Sequence, residues 1–275
     1  MRSLIISARR LGLRAALLLL IGAFVLTKGE PIAASLTSTL PFHRALVLDG
    51  VDDYAQAEDD PELDVGDEAG ESLTIEAWVY IKLPGSSKDK LYIVNKPQSY
   101  ELFTTRYPSA DRTIDCIGFR LTGPFGQFRG FGVCKLTSSL GWHHVAGVFN
   151  KETSEMKIYV DGEEFGSPRY FESVINNSTE ALEVGGGAKR LPGAVDEIRI
   201  SDVARYSGST YTVPASMFTC DEHTRGLWHF DEFEGATVFH DACGMTDNLL
   251  VGHNGAHTSG MLVERAYLPL IVKRY

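Results

Sequence analysis

Short runs of alternating apolar and polar residues dominate the chain, and turn-forming residues separate them. In Leu73–Leu83, Leu73, Ile75, Ala77, Val79 and Ile81 alternate with Thr74, Glu76, Trp78, Tyr80 and Lys82. A period of two marks a strand with one buried face. Similar β-prone runs are Arg44–Leu48, Tyr92–Asn95, Glu101–Thr104, Cys116–Leu121, Phe131–Cys134, Met156–Val160, Ala194–Ser201 and Gly226–Phe230. Trp142–Phe149 is apolar on both faces, as a central strand is. Asp161-Gly162 sits between two runs and predicts a tight hairpin, because both central positions of that turn need positive φ. Helical periodicity is confined to single turns at 203–206 and 214–218. Many short strands with almost no helix predict an all-β fold, a two-sheet antiparallel sandwich or a barrel. No Pro- or Ser-rich linker divides it, so we read one domain over residues 40–260 and a short tail, 261–275. Pro269 keeps that tail out of a central strand.

The first 34 residues differ from the rest. Arg2, Arg9, Arg10 and Arg14 precede a twelve-residue apolar run, Ala15–Leu26, and Ile32-Ala33-Ala34 follows. The run is shorter than the ~20 residues that span a bilayer. The pattern is that of a secretory signal peptide, residues 1–34, cleaved near Ala34. The expected location is secreted or cell-surface, with no membrane span in the mature chain. The whole chain has 26 Lys and Arg against 36 Asp and Glu. The leader holds five and one of these, which leaves 21 and 35, a net charge of −14. Such a surface repels nucleic acid and anionic lipid. The four cysteines are Cys116, Cys134, Cys220 and Cys243. An exported chain with an even number of cysteines is expected to form disulfides. Three pairings exist. Local geometry favours Cys116–Cys134, across a hairpin, and Cys220–Cys243. No C-x-x-C spacing supports zinc.

Five blocks carry a resemblance to a known family: Ala45-Leu-Val-Leu-Asp-Gly-Val-Asp-Asp-Tyr54, Leu73-Thr-Ile-Glu-Ala-Trp-Val79, Gly141-Trp-His-His-Val-Ala146, Ile158-Tyr-Val-Asp-Gly162 and Gly193-Ala-Val-Asp-Glu-Ile-Arg-Ile200. In that order they resemble the laminin-G-like jelly-roll family of the concanavalin A-like lectin/glucanase fold. The resemblance implies a jelly-roll sandwich used for recognition. A further block, Gly226-Leu-Trp-His-Phe-Asp-Glu232 to Gly244, precedes the first block in many relatives and here follows the last. It either completes this sandwich, the preferred reading because Trp228 and Phe230 need burial, or begins a second copy.

Candidate chemistry is sparse. Glycoside hydrolysis needs two opposed carboxylates, and the E-x-D-x-x-E string of this fold's glucanases is absent. Asp196 and Glu197 are adjacent and expected on opposite faces. There is no G-x-S-x-G or H-E-x-x-H. We therefore expect no enzyme. Asp49, Asp52 and Asp53 crowd three carboxylates into five residues, a pattern that suits calcium. The resemblance adds a calcium-binding rim and places Asp196 near it. The alternative is an Asp-rich turn bonded to its own backbone. Asp59 and Asp60, with Glu58, are read as solvated surface. Phe125 and Phe128, with Tyr107, are the candidate ligand-binding loop, and the alternative is that such rings pack loop bases. Trp78, Trp142 and Trp228 are expected in the core. The expected function is non-catalytic binding of a glycan or an extracellular protein, with calcium as the one candidate cofactor. An unrecognised glycan hydrolase or lyase and a passive adhesion module are the alternatives.

Overall fold

A computed structural model describes residues 44–260 apart from 69, 82–88, 109–112, 136–140 and 245–247. For residues 81, 106–108, 113–115 and 134–135 only the backbone is described. The leader and the tail lie outside the described residues.

β1 (Ala45–Asp49) and β2 (Tyr54–Ala57) flank the acidic turn. Next come β3 (Leu73–Ile81), β4 (Leu91–Lys96), β5 (Tyr100–Pro108), β6 (Thr113–Thr122) and β7 (Phe128–Lys135). β8 (Trp142–Asn150) and β9 (Glu155–Val160) form a hairpin pair, trailed by β10 (Glu163–Glu164) and β11 (Arg169–Tyr170). The chain continues with β12 (Leu182–Val184), β13 (Pro192–Ser201), β14 (Thr224–Trp228), β15 (Val238–Phe239), β16 (Leu250–His253) and β17 (His257–Ser259). One sheet has the order β10-β9-β8-β3-β13-β1-β17, with β11 beside β9 and β14 beside β13. The other has the order β15-β16-β2-β12-β4-β5-β6-β7. All pairings among the described strands are antiparallel, as the sequence predicts.

The period of two in β3 decides its faces. Leu73, Ile75, Ala77 and Val79 are fully buried between the sheets, with Leu102, Phe119, Phe149 and Ile158 among their neighbours in one cluster. The Asp161-Gly162 turn has φ of 53° and 80°, as the hairpin requires. The only helix among the described residues is one 3-10 turn, Pro61–Leu63. Asp60 accepts from the Glu62 N–H at 2.8 Å and Pro61 takes the first position, a start signal legible in the sequence. The turns expected at 203–206 and 214–218 are not helical.

The Trp228 block completes this sandwich. β14 pairs with β13, and Trp228 and Phe230 are fully buried in the central core. The Trp228 indole N–H donates to the Asn248 carbonyl at 2.9 Å. Trp78 and Trp142 are also buried, but not between the sheets. They lie on the outer face of the β3-β8-β13 sheet, with Val213, Phe218 and Leu227 in a separate cluster. Residues 202–223 run across that face. Cys220 is bonded to Cys243. The Asp241 carboxylate accepts from the N–H groups of Leu227 and Cys243, so this bridge ties the covering segment to the β14 edge.

Cys116 is also disulfide-bonded, and the β6–β7 register sets Cys134 directly opposite it. The Cys134 side chain lies outside the described ones. This position corrects the expectation that a Cys116–Cys134 bridge holds the loop carrying Phe125 and Phe128 in place. Cys116 is seven residues before Gly123, at the far end of the hairpin from the tip that carries Phe125. The tip is pinned instead by one bond within the turn, Gly123 N–H to the Gln127 carbonyl (2.7 Å), and one to a distant segment, the Gln127 amide to Ser173 Oγ (3.0 Å).

Candidate functional site

The two outer faces of the sandwich differ. Under the 202–223 cover, Glu76 is the centre of a buried polar layer. It accepts from Arg199 Nε (2.9 Å) and Nη2 (2.7 Å) and from the Tyr206 hydroxyl (2.6 Å), and His144 Nε2 lies at 3.2 Å. His144 Nδ1 meets the Tyr211 hydroxyl at 2.7 Å, and the Tyr206 and Tyr211 rings stack at 3.6 Å. Burial raises the pKa of Glu76, but the His144, Arg199 and Tyr206 contacts outweigh it and hold it at about 2. No solvent reaches Glu76 or His144. This layer joins the cover to the sheet.

Asp196 and Glu197 belong to the same side. Glu197 has φ of 54° at a β-bulge, where the register with β3 shifts. The extra residue cancels the alternation. Instead of facing away from Asp196 into the core, Glu197 reaches the covering layer, accepting from the Phe218 N–H and facing His229 Nδ1, each at 2.8 Å. Asp196 is buried and bonds the Glu197 N–H. It does not join the acidic turn. Asp49 is opposite Pro192, so Asp196 is four residues further along β13, about 13 Å away.

Asp49, Asp52 and Asp53 do come together, with one oxygen from each within 4.8 Å of the others. Asp49 Oδ1 accepts from the Val51 N–H (2.7 Å) and lies within 3.5 Å of the Asp52 and Asp53 nitrogens. Asp53 Oδ2 accepts from the Asp49 N–H. The Val51 N–H and its neighbours lower the Asp49 pKa, although partial burial opposes them, while burial raises that of Asp53. Oxygens on one calcium, at 2.3–2.6 Å, lie up to about 5 Å apart, so this spacing fits a shared cation. The carboxylates supply part of a shell, and the rest must come from carbonyls or water.

The outer face of the β2-β12-β4-β5-β6-β7 sheet carries no hydrophobic cluster of its own among the described residues. It presents a strip of rings and polar groups instead. At one end Arg190 lies 4.3 Å over the Tyr54 ring, which stacks on His253 at 4.6 Å. At the other, Glu101 receives Lys90 and Arg120, each at 2.6 Å. Lys90 also lies 4.4 Å from the Phe103 ring centre, and Arg120 5.2 Å from that of Phe128. Gly118 leaves room for the Phe103 ring, since a Cβ there would occupy the ring's space. Phe128 is 63% exposed and Phe125 94%, so neither packs the loop base. Tyr107 does not join them. It is opposite Ile114, near the β5–β6 turn, while Phe125 is in the β6–β7 turn at the other end of β6. Its side chain lies outside the described ones.

Sequence reasoning missed Lys96 and the role of its partners. Lys96 is fully buried and binds Asp59 (2.5 Å), Asp64 (3.3 Å) and the Glu180 carbonyl (3.2 Å). Asp59 and Asp60 are therefore fixed groups rather than free surface charges. Their proximity to Pro61 was the available signal.

Two antiparallel sheets, one with a sealed outer face and one with an open outer face, define a jelly-roll sandwich. The chain belongs to the concanavalin A-like lectin/glucanases superfamily, whose family model matches residues 49–208. Among solved structures it resembles a proposed carbohydrate binding protein from Bacteroides ovatus, with a TM-score of 0.59 and 18% identity. That match covers 80% of this chain and 60% of that one, so this chain spans less than two thirds of that protein. A weaker likeness, TM-score 0.41 and 13% identity, joins it to the CBM40 module of the Ruminococcus gnavus IT-sialidase bound to α2,3 sialyllactose, over 60% of this chain and 93% of that one. No curated protein matches the sequence.

Proposed function

We propose that this chain is an exported, non-catalytic carbohydrate-recognition module that binds its ligand on the open sheet face, beside a calcium-holding turn at Asp49–Asp53. The carrying observation is the asymmetry of the two faces. One is sealed by residues 202–223, while the other keeps Tyr54, His253, Arg120 and Phe128 accessible on a rigid sheet. Rings with nearby polar groups suit saccharides, which have apolar faces and hydroxyl edges. The fold likeness to the Bacteroides ovatus protein supports the same reading. A non-catalytic role is supported by Glu76 and Glu197, buried carboxylates that are fully engaged by protein partners. A glycan array run with the purified chain, with and without calcium, tests the function. Retention on a defined glycan set is expected, and a blank array with the folded protein would reject it.

Calcium makes a separate expectation. Saturation at a hundredfold the dissociation constant stabilises a fold by about 2.7 kcal/mol. Millimolar calcium is therefore expected to raise the melting temperature by several degrees, with chelator reversing the shift. Joint Asp49→Asn and Asp52→Asn replacement should remove the response. An unchanged melting curve in the native chain would exclude calcium at this turn.

A further inference from the structure

Three apolar side chains share the outer face at the β15–β16 end of the open sheet. Val238 is directly opposite Val251, and Leu249 is two residues before Val251. Strand alternation sets all three on one side, while Phe239 and Leu250 are fully buried on the other. Val238, Leu249 and Val251 are 39%, 37% and 39% exposed. Leu249 and Val251 wall a groove of about 520 Å³ that also carries Glu58, Asp59 and Asp60. Asp59 is held by Lys96 and one Asp60 oxygen by the Glu62 N–H, but Glu58 has no ion pair or hydrogen bond among the described residues. The surface is half apolar and half anionic.

The chain carries a segment of matching composition. In residues 261–275, Leu268-Pro269-Leu270-Ile271-Val272 is followed by Lys273-Arg274. With Arg265 this tail has three cations against the single anion Glu264, in a chain with 26 Lys and Arg against 36 Asp and Glu. The tail also leaves the sheet close by. Gly260 N–H donates to Glu234 Oε2 (2.6 Å) and Thr258 N–H to the Ala236 carbonyl (2.9 Å), so the exit from β17 lies beside the segment that enters β15. Phe233, 75% exposed, stands at the same exit, its carbonyl bound by Thr258 Oγ1. From Gly260 back to Thr258, across to Ala236 and on to Val238 is at most about 20 Å. An extended chain gains about 3.3 Å per residue, so the stretch from Gly260 to Leu270 spans roughly 33 Å and reaches the patch.

We propose that the tail docks back on its own domain at this end of the open face. Residues 268–272 cover Val238, Leu249 and Val251, and Lys273 and Arg274 meet Glu58 and Asp60. Pro269 makes this a surface contact rather than a further ladder strand. The occupant satisfies both halves of the surface, because its apolar run ends in cations. The seat is at the opposite end of the face from Arg120 and Phe128. It leaves that end to a ligand and does not depend on the carbohydrate reading.

The test is zero-length carbodiimide coupling of the full chain at submicromolar concentration, with the products mapped by mass spectrometry. The reagent joins a lysine amine to a carboxylate where the two are in ion-pair contact. Lys273 joined to Glu58 or Asp60 within one chain is the expected product. Two variants, each checked for a folded domain by circular dichroism, probe the seat. Val251→Arg puts a like charge into it at an exposed position. Leu270→Ser with Ile271→Ser removes the apolar anchors, keeps both cations and leaves the sandwich sequence untouched. Each is expected to lower the coupling about tenfold or more. Coupling unchanged in the double-serine variant would show attraction without a seat and overturn the docking. Lys273 left uncoupled, or joined to carboxylates elsewhere on the surface, would overturn it as well. Product found only in covalent dimers would put the tail on a second copy and overturn its return to its own domain.

Discussion

Replacing Glu76 by leucine is expected to destabilise the protein by about 3–5 kcal/mol, the loss seen when one partner of a buried ion pair is removed. For a domain of this size that is a fall in melting temperature on the order of 10 °C. The leucine leaves the Arg199 guanidinium, His144 Nε2 and the Tyr206 hydroxyl without their shared acceptor. Acid should produce the same loss in the native protein. The Glu76 carboxyl titrates near 4.5 in an unfolded chain and at about 2 when folded. Its stabilising effect is complete above about pH 4.5 and disappears as the pH falls toward 2. Denaturation measured across that window should show a steep acid slope in the native chain and a shallower one in Glu76→Leu. Equal slopes, or a variant that melts with the native protein, would contradict the role assigned to this layer.

Removing the Cys220–Cys243 bridge, by alanine at both positions, is expected to destabilise by about 3 kcal/mol in the loop-entropy account of a 23-residue separation. The effect should be global, because the bridge ends in the segment that covers Trp78 and Trp142. Tryptophan fluorescence should move to longer wavelength before the far-ultraviolet β signal is lost. Alanine at Cys116 and Cys134 should destabilise less, since their strands are held by the full β6–β7 ladder and lie on the open face. A non-reducing peptide map should join Cys116 to Cys134. A peptide joining Cys116 to Cys220 or Cys243 would refute the pairing, and equal melting of the two double variants would refute the difference between the bridges.

Local rules carried the sequence reading as far as single strands and turns. The alternation in Leu73–Ile81 identified the residues that face the core, and Asp161-Gly162 identified a hairpin. The faces of neighbouring strands were harder to read. Trp78 and Trp142 looked like core residues, and they are buried, but beneath residues 202–223 rather than between sheets. Nothing local in β3 announces a cover supplied about 130 residues later. Asp196 and Glu197 were misjudged because simple alternation fails at a bulge, and the Glu197 carboxylate finds its partners, the Phe218 N–H and His229, on segments 21 and 32 residues further along the chain. The exposure of Phe125 was undecidable from its turn, because Gly123-Pro124-Phe125-Gly126 specifies a bend and not what lies above it. The groove of about 520 Å³ between β2 and β16 is the least legible feature. It joins Glu58 to Asn248 and Val251 through a β2–β16 pairing that spans about 190 residues of chain.

The β1–β17 pairing has a mechanical consequence. Ala45 is opposite Ser259, so among the described residues the first strand starts beside the point where the last strand ends. A tensile load applied at these two points pulls along the hydrogen bonds, which run perpendicular to the strands, and so unzips the antiparallel pair rather than shearing it. The bonds then fail one at a time, and β17 offers only three residues to resist. The sandwich should therefore open from this corner at low force, peeling β17 off first while the large sheets behind it still hold. If the protein is held between a surface and a moving ligand, the direction of pull decides whether it behaves as a soft link or a stiff one.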